Sequence, residues 1–181
     1  MTVTSGPLDG VKVIQPSVYR DARGFFLETY HEQRYRAAGI DVTFVQDNFS
    51  RSSRHTIRGL HMQVRAPQAK LVRVVAGAIF DVAVDARPDS PTFGRWFGVE
   101  LSAGNFTQLF IPAGFAHGFA VTSEVAEVEY KCSVFYDPAD EVAIRYDDPA
   151  IGIAWPVTSP VLSARDAAAA SLADVRDRAR R

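Results

Sequence analysis

The sequence predicts an all-β fold, a sandwich or closed barrel of the jelly-roll kind. Ten short runs rich in β-branched and aromatic residues are separated by turns that contain glycine and proline. Helical patterns do not alternate with these runs, which argues against a parallel α/β sheet. Antiparallel sheets packed face to face are the expected architecture.

The predicted strands cover residues 11–15, 25–30, 42–49, 57–63, 70–77, 79–86, 95–101, 107–111, 118–121 and 128–136. FDVAVD within the sixth run alternates apolar and polar residues, which indicates a half-buried antiparallel strand. A short helix is predicted near residues 31–38, ended by Gly39. A second, C-terminal helix is predicted after Ser163, whose hydroxyl is a plausible N-cap.

Composition limits the function classes. A chain of 181 residues with 47% hydrophobic residues suits one compact domain over residues 1–181. A net charge of −1 gives no reason to expect nucleic acid or an anionic membrane as partner. Cys132 is the sole cysteine, which rules out an internal disulfide. MTVTSGPLDG lacks signal-peptide features, and no run reaches the roughly 18 apolar residues of a membrane span, so a cytoplasmic protein is expected.

Polar side chains inside predicted strands are the candidates for chemistry. In IRGLHMQ the spacing of Arg58 and His61 puts them on opposite faces of a regular strand, unless Gly59 marks a bulge that brings them together. A solvated arginine and a hydrogen-bonded core histidine are the alternative. His117 follows a proline-glycine turn. Its imidazole could form a hydrogen bond with that turn, which is at least as good an explanation as a functional role.

Metal binding is the weaker interpretation of these histidines. The chain has four histidines and no HxH pair of the kind that jelly-roll metalloenzymes usually carry. Tyr130 and Tyr136 are six residues apart, so a regular strand would direct both to one face, as core packing or as a proton donor and a stacking plate. Asp166 fits a capping pattern with Ser163, which requires no catalytic role.

Taken together, the motifs identify a family resemblance. DARGFFLE, FVQDNFSRSS, IRGLHMQ, AKLVRVV, SPTFG, IPAGFAHGF, EYKCSVFYDPADE and LSARD follow one another in an order and spacing that resemble the dTDP-4-dehydrorhamnose 3,5-epimerases. The resemblance runs from about Val11 to Asp166. It implies a cupin-type double-stranded β-helix, usually a homodimer, that acts on a dTDP-4-keto-6-deoxyhexose without metal or cofactor.

The resemblance also implies catalytic roles. His61 would be the general base, Asp166 would orient its ring, and Tyr130 would be the general acid. Lys70 would lie near the developing enolate oxygen, where a compact cation stabilises charge as it appears. The expected chemistry is removal of a proton beside a ketone and its return on the opposite face.

Substrate binding is implied for ten further positions. Arg23 and Arg58 would bind the diphosphate, for which guanidinium geometry is well suited. Tyr136 would stack on the thymine. The remaining residues would contact the nucleotide or sugar: Glu28, Gln46, Asp47, Asn48, His117, Glu141 and Arg165.

Three functions stay open on the sequence. The first is an epimerase acting at carbon 3, carbon 5 or both, in a rhamnose or an antibiotic-sugar pathway. The second is a metal-dependent cupin enzyme, which the missing HxH pair disfavours. The third is a jelly roll that binds a sugar nucleotide without catalysis, which the joint presence of base, acid, carboxylate and cation disfavours.

Overall fold

The computed structural model describes residues 1–179, and two antiparallel sheets pack face to face in it. Thirteen strands are present within these residues: β1 Thr2–Ser5, β2 Lys12–Gln15, β3 Val18–Asp21, β4 Gly24–Leu27, β5 Gln46–Ser53, β6 Ile57–Gln63, β7 Lys70–Ala76, β8 Ala78–Asp85, β9 Trp96–Ser102, β10 Gln108–Ile111, β11 Phe115–Val121, β12 Val125–Cys132 and β13 Glu141–Ala143. Three short helices complete the fold: α1 Glu32–Ala37, α2 Ala164–Ala167 and α3 Leu172–Ala179. The all-β jelly-roll prediction is confirmed.

The sheet order explains which residues meet in the interior. Six strands form one sheet in the order β1-β2-β10-β7-β12-β5, and five form the other in the order β13-β6-β11-β8-β9. β3 and β4 make a separate two-stranded hairpin. Every pairing between these strands is antiparallel. Functional side chains on the inner faces of both sheets therefore face one another.

Apolar packing occupies three layers. The central layer joins the inner faces of the two sheets through residues such as Val72, Val128, Ile79 and Phe119. The C-terminal segment covers the outer face of the five-stranded sheet, and α1 covers part of the six-stranded sheet. Burial on both faces explains one difference from the sequence: β8 is not half-buried as FDVAVD suggested, because both of its faces are covered.

The predicted C-terminal helix exists as two short helices. Ser163 caps α2 as expected, accepting a hydrogen bond from the Asp166 amide. The helix stops at Ala167 because Ala170 bridges to Ile144, and its carbonyl oxygen accepts the Arg145 amide at 2.8 Å. Ser171 then exchanges hydrogen bonds with Asp174, a reciprocal cap that starts α3.

Other boundaries also differ from the predictions. β1, β3 and β13 were not predicted, since each is short and mostly polar or small. The strand predicted through residue 136 ends at Cys132. The helix predicted near residues 31–38 is confirmed as α1, with Gly39 in the left-handed region at φ +80°. No helix within residues 1–179 is both long and apolar enough to cross a membrane.

Candidate active site

A cavity of about 290 Å³ opens between the two sheets. Its lining brings together most of the polar residues that the sequence singled out, and both sheets contribute. The lining residues are Gln46, Asn48, Ser50, Arg58, His61, Gln68, Lys70, His117, Phe119, Tyr130, Tyr136 and Glu141.

Arg58 and His61 both reach this cavity because β6 carries one extra residue. Arg58 pairs with Phe119 of β11 and His61 pairs with His117, so three steps on β6 match two on β11. Gly59 makes this possible. Its φ is +121°, and a Cβ atom there would lie 2.5 Å from Gly118 Cα. The predicted bulge is confirmed.

His61 forms a dyad with a buried carboxylate. Its Nε2 lies 2.6 Å from Asp166 Oδ1, and the two residues are 105 positions apart in the chain. Burial raises the pKa of Asp166, but hydrogen bonds from His61, Ser163 and the Gly59 backbone outweigh burial and hold the pKa below its usual value. An ionised Asp166 accepts a hydrogen bond from the Nε2–H group of His61, which leaves the lone pair of the ring on Nδ1, the arrangement of a general base.

Lys70 and Tyr130 approach the cavity from the opposite sheet. Lys70 shares the inward face of β7 with Val72 and Val74, and its Nζ lies 5.9 Å from the centre of the Tyr130 ring. Burial raises the pKa of Tyr130 to about 12, helped by the charges of Cys132 and Glu141. The phenol therefore stays protonated at neutral pH, as a proton donor must.

A charged cluster lies at the mouth of the cavity. Tyr136 donates its hydroxyl to Glu141 Oε2 at 3.1 Å. Arg165 pairs with the same carboxylate and also donates to the Glu141 carbonyl oxygen at 3.2 Å. Tyr136 reaches the cavity from the loop after β12, held by a hydrogen bond from its amide to Gln46 Oε1 at 2.8 Å. Arg165 lies at this rim and not in the cavity lining.

Strand β5 lines the cavity with alternate residues. Gln46 and Asn48 face inward, whereas Asp47 lies on the other face and pairs with Lys131 at 2.9 Å. The Asp47 side chain therefore does not line the cavity. Ser50 occupies the next inward position. It is not among the predicted site residues, although the two-residue period of a strand places it on the same face as Gln46 and Asn48.

Arg23 and Glu28 lie outside the cavity lining. Arg23 is at the tip of the β3–β4 hairpin, pairs with Asp21, and has a side chain that is 91% exposed. Glu28 follows the hairpin and pairs with Arg34 at 2.9 Å. Neither side chain reaches the cavity of its own chain.

His117 makes a second histidine–carboxylate pair, whose partner Asp81 was not a candidate. His117 Nε2 lies 2.7 Å from Asp81 Oδ1, and the exposed fractions of these side chains are 6% and 0%. The signal was present in the sequence, since Asp81 stands between apolar residues of a predicted strand. Gln68 and Phe119 also line the cavity without having been predicted.

No group of three or more His, Cys, Asp or Glu within the described residues is arranged to hold a metal.

Comparison with known proteins identifies the same chemistry. The family model of dTDP-4-dehydrorhamnose 3,5-epimerase matches residues 5–174. A protein of that description from Neisseria gonorrhoeae is 52% identical over 93% of this chain, which spans about half the length of that protein. Another from Salmonella typhimurium is 51% identical over 93% of this chain and 94% of its own length.

A solved structure agrees with these relatives. The crystal structure of a dTDP-6-deoxy-D-glucose-3,5-epimerase from Legionella pneumophila, in complex with dTDP-4-keto-L-rhamnose, superposes with a TM-score of 0.95. It is 48% identical, and the match covers 98% of this chain and 96% of that chain. The chain therefore belongs to the dTDP-4-dehydrorhamnose 3,5-epimerase family and is a sugar-nucleotide epimerase.

Proposed function

We propose that this protein inverts carbons 3 and 5 of a dTDP-4-keto-6-deoxyhexose, a step of dTDP-deoxysugar biosynthesis for rhamnose or an antibiotic sugar. One observation carries the proposal: His61, held by Asp166 of α2, belongs to the five-stranded wall of the cavity, and Tyr130 belongs to the opposite, six-stranded wall. Inversion needs a base and an acid on opposite faces of the sugar. A single group that returned its own proton would restore the starting sugar.

The mechanism is enolate chemistry beside a ketone. The carbonyl at carbon 4 acidifies the protons on carbons 3 and 5, and Nδ1 of His61 removes one of them. Asp166 stabilises the imidazolium that forms. Lys70 faces the same cavity and balances the negative charge on the enolate oxygen. Tyr130 then delivers a proton to the other face. Solvent removes the proton from His61 and returns one to Tyr130 before the same sequence is repeated at the second carbon.

The nucleotide half of the substrate is assigned to the cavity mouth. Arg58 lines the cavity, its Nε donates to Ser52 Oγ at 2.9 Å, and its remaining N–H groups can bind diphosphate oxygens. Tyr136 is exposed at the rim, where it can stack on thymine. Gln46 and Asn48 supply amide groups along the same wall. Because a nucleoside diphosphate does not cross membranes unaided, a cytoplasmic location is also proposed.

We further propose a homodimer in which the hairpin completes the site of the second copy. Arg23 is predicted to bind diphosphate, yet it lies outside its own cavity. An isolated two-stranded hairpin is marginally stable in water, and this one exposes Tyr19 (66%) and Phe26 (70%). Burial of these rings against a second copy would stabilise the hairpin and carry Arg23 to the other cavity.

Mixed dimers test this arrangement. Arg23→Ala and His61→Asn homodimers should each have strongly reduced turnover. After the two variants are unfolded and refolded together, the mixed dimer should regain activity, because one of its sites combines an intact His61 with an Arg23 from the other copy. Lack of recovery despite mass-spectrometric evidence of mixed dimers would place Arg23 in its own site and contradict the arrangement.

The reaction itself is tested by incubation with dTDP-4-keto-6-deoxyglucose in deuterated water. NMR of the sugar protons should show deuterium at carbons 3 and 5, together with the inverted product. Label at one carbon would assign a mono-epimerase of a specialised deoxysugar pathway. If neither carbon exchanges although dTDP binds, the protein is a binding module and the epimerase proposal fails. Activity that is lost on chelation and restored by a metal would favour a metal-dependent cupin enzyme.

A further inference from the structure

Asp81 is a buried carboxylate that the mechanism above does not use. It lies on β8 facing the space between the sheets, on the same side as the core residues Ile79 and Ala83. Its Oδ1 holds His117 at 2.7 Å. Its Oδ2 is buried and has no hydrogen-bond partner among residues 1–179. One hydrogen bond therefore does not account for a fully buried charge, which is costly unless other charges compensate it.

Lys70 shows the complementary imbalance. It is buried, and burial lowers its pKa. None of the ion pairs formed within residues 1–179 involves Lys70, so no direct partner retains its proton. The opposing influences act through space: Cys132, Glu141 and Asp81 lie close enough that negative charge on any of them raises the pKa of Lys70.

We propose that Asp81 is a positioning residue with two roles: it fixes His117 through one oxygen, and its negative charge keeps Lys70 an ammonium ion. The inference rests on the proposed function, because an ammonium at Lys70 matters for turnover only if an enolate forms beside it. Asp81 never touches the substrate, since its free oxygen is sealed from solvent. It acts through the two residues that line the cavity.

Several ionisable groups surround Lys70, and Asp81 is one of the three that raise its pKa. Other ionisable groups face it from four strands: Tyr130 and Cys132 of β12, His117 of β11, Arg58 and His61 of β6, and Glu141 of β13. Tyr130 stays neutral, and burial also raises the pKa of the Cys132 thiol, so neither supplies a negative charge at neutral pH. The charge of Glu141 is already paired with Arg165. Among residues 1–179, the one ion-pair partner of Asp81 is His117, which carries a charge only when its ring is protonated.

Asp81→Asn separates the two roles. The variant keeps an oxygen that accepts from His117 and removes only the charge. The chain contains just three lysines, Lys12, Lys70 and Lys131, so NMR of protein labelled with ¹³C at lysine Cε gives three titrating signals. The Lys70 signal should titrate about one pH unit lower in Asp81→Asn than in the wild type, while Lys12 and Lys131 stay unchanged. The alkaline limb of the kcat profile should move down by the same amount.

A matched control comes from the same strand. Asp85 is also fully buried on β8, but it binds Arg87, Ser90 and Thr92 outside the cavity. Asp85→Asn should leave the Lys70 titration unchanged, even where it lowers stability. An unmoved Lys70 signal in Asp81→Asn would overturn the inference whether or not the enzyme turns over. If the Lys70 signal moves in Asp81→Asn but the wild-type protein does not turn over the substrate, only the proposed function is contradicted.

If Asp81→Asn does not fold, a second variant still tests the inference. If the fold is lost because Lys70 becomes an uncompensated buried cation, then Asp81→Asn/Lys70→Met must fold, since it removes both charges. Circular dichroism shows whether the double variant folds, and urea unfolding measures its stability. A double variant that also fails to fold would give Asp81 a purely local structural role and overturn the inference.

Discussion

His61→Asn is expected to abolish epimerisation while leaving nucleotide binding intact. The side chain of asparagine has no lone pair basic enough to remove a carbon-bound proton, so turnover should fall by about 10³- to 10⁴-fold. Asparagine is smaller than histidine but also polar, and it leaves the backbone of β6 and its pairing with β11 in place. Arg58 and Tyr136, which are assigned to the nucleotide, are untouched. Steady-state kinetics measures the loss, and calorimetry with dTDP measures binding.

His55→Asn is the matched control for this substitution. His55 lies in the exposed turn before β6, where its φ of +68° is a conformation that asparagine tolerates well. The same chemical change there should leave the turnover at the wild-type level. Activity retained in His61→Asn, or lost equally in both variants, would remove His61 from the role of base.

Tyr130→Phe is expected to separate proton removal from inversion. His61 still abstracts a proton and Lys70 still faces the enolate, but the acid assigned to the other face of the sugar is gone. Solvent deuterium should therefore enter the sugar with retention of configuration, while formation of the inverted product drops by about 10²- to 10³-fold. NMR in deuterated water follows exchange and inversion in one sample.

Tyr146→Phe serves as the comparison for that experiment, since Tyr146 does not line the cavity. Its ratio of inversion to exchange should match that of the wild type. If Tyr130→Phe lowers exchange and inversion to the same degree, the phenol acts in the first proton transfer, and the assignment of opposite faces is wrong.

Much of the fold follows from local patterns that do not depend on long-range contacts. Periodic apolar runs and Gly/Pro turns identified the central strands, and Gly39 and Ser163 marked helix boundaries that the structure confirms. The predicted C-terminal helix is too long, because a tertiary contact interrupts it: Ala170 pairs with Ile144 on a distant segment. Alternation in β8 also misled, because a covering segment buries the face that would otherwise meet water.

Site residues could be predicted where a single strand carries the irregularity that positions them. They could not be predicted where the packing of the sheets determines which way a side chain points. Gly59 indicated the bulge that brings Arg58 and His61 together. The outward direction of Asp47 follows from the alternation that sends Gln46 and Asn48 inward, and it is confirmed by the ion pair with Lys131. Asp81 stands between apolar residues of a predicted strand, but the sequence does not show which face of β8 meets the cavity, so its role was not predicted.

The long separation within the His61–Asp166 dyad has a consequence for biogenesis. A nascent chain can complete both sheets through β13 while Asp166 is still inside the ribosome, and at that stage the imidazole has no carboxylate to orient it. The docking of residues 163–175, anchored by Leu172 and Val175, therefore follows the formation of both sheets. Enzyme activity during synthesis should thus appear abruptly, after the rest of the sandwich has already become resistant to protease.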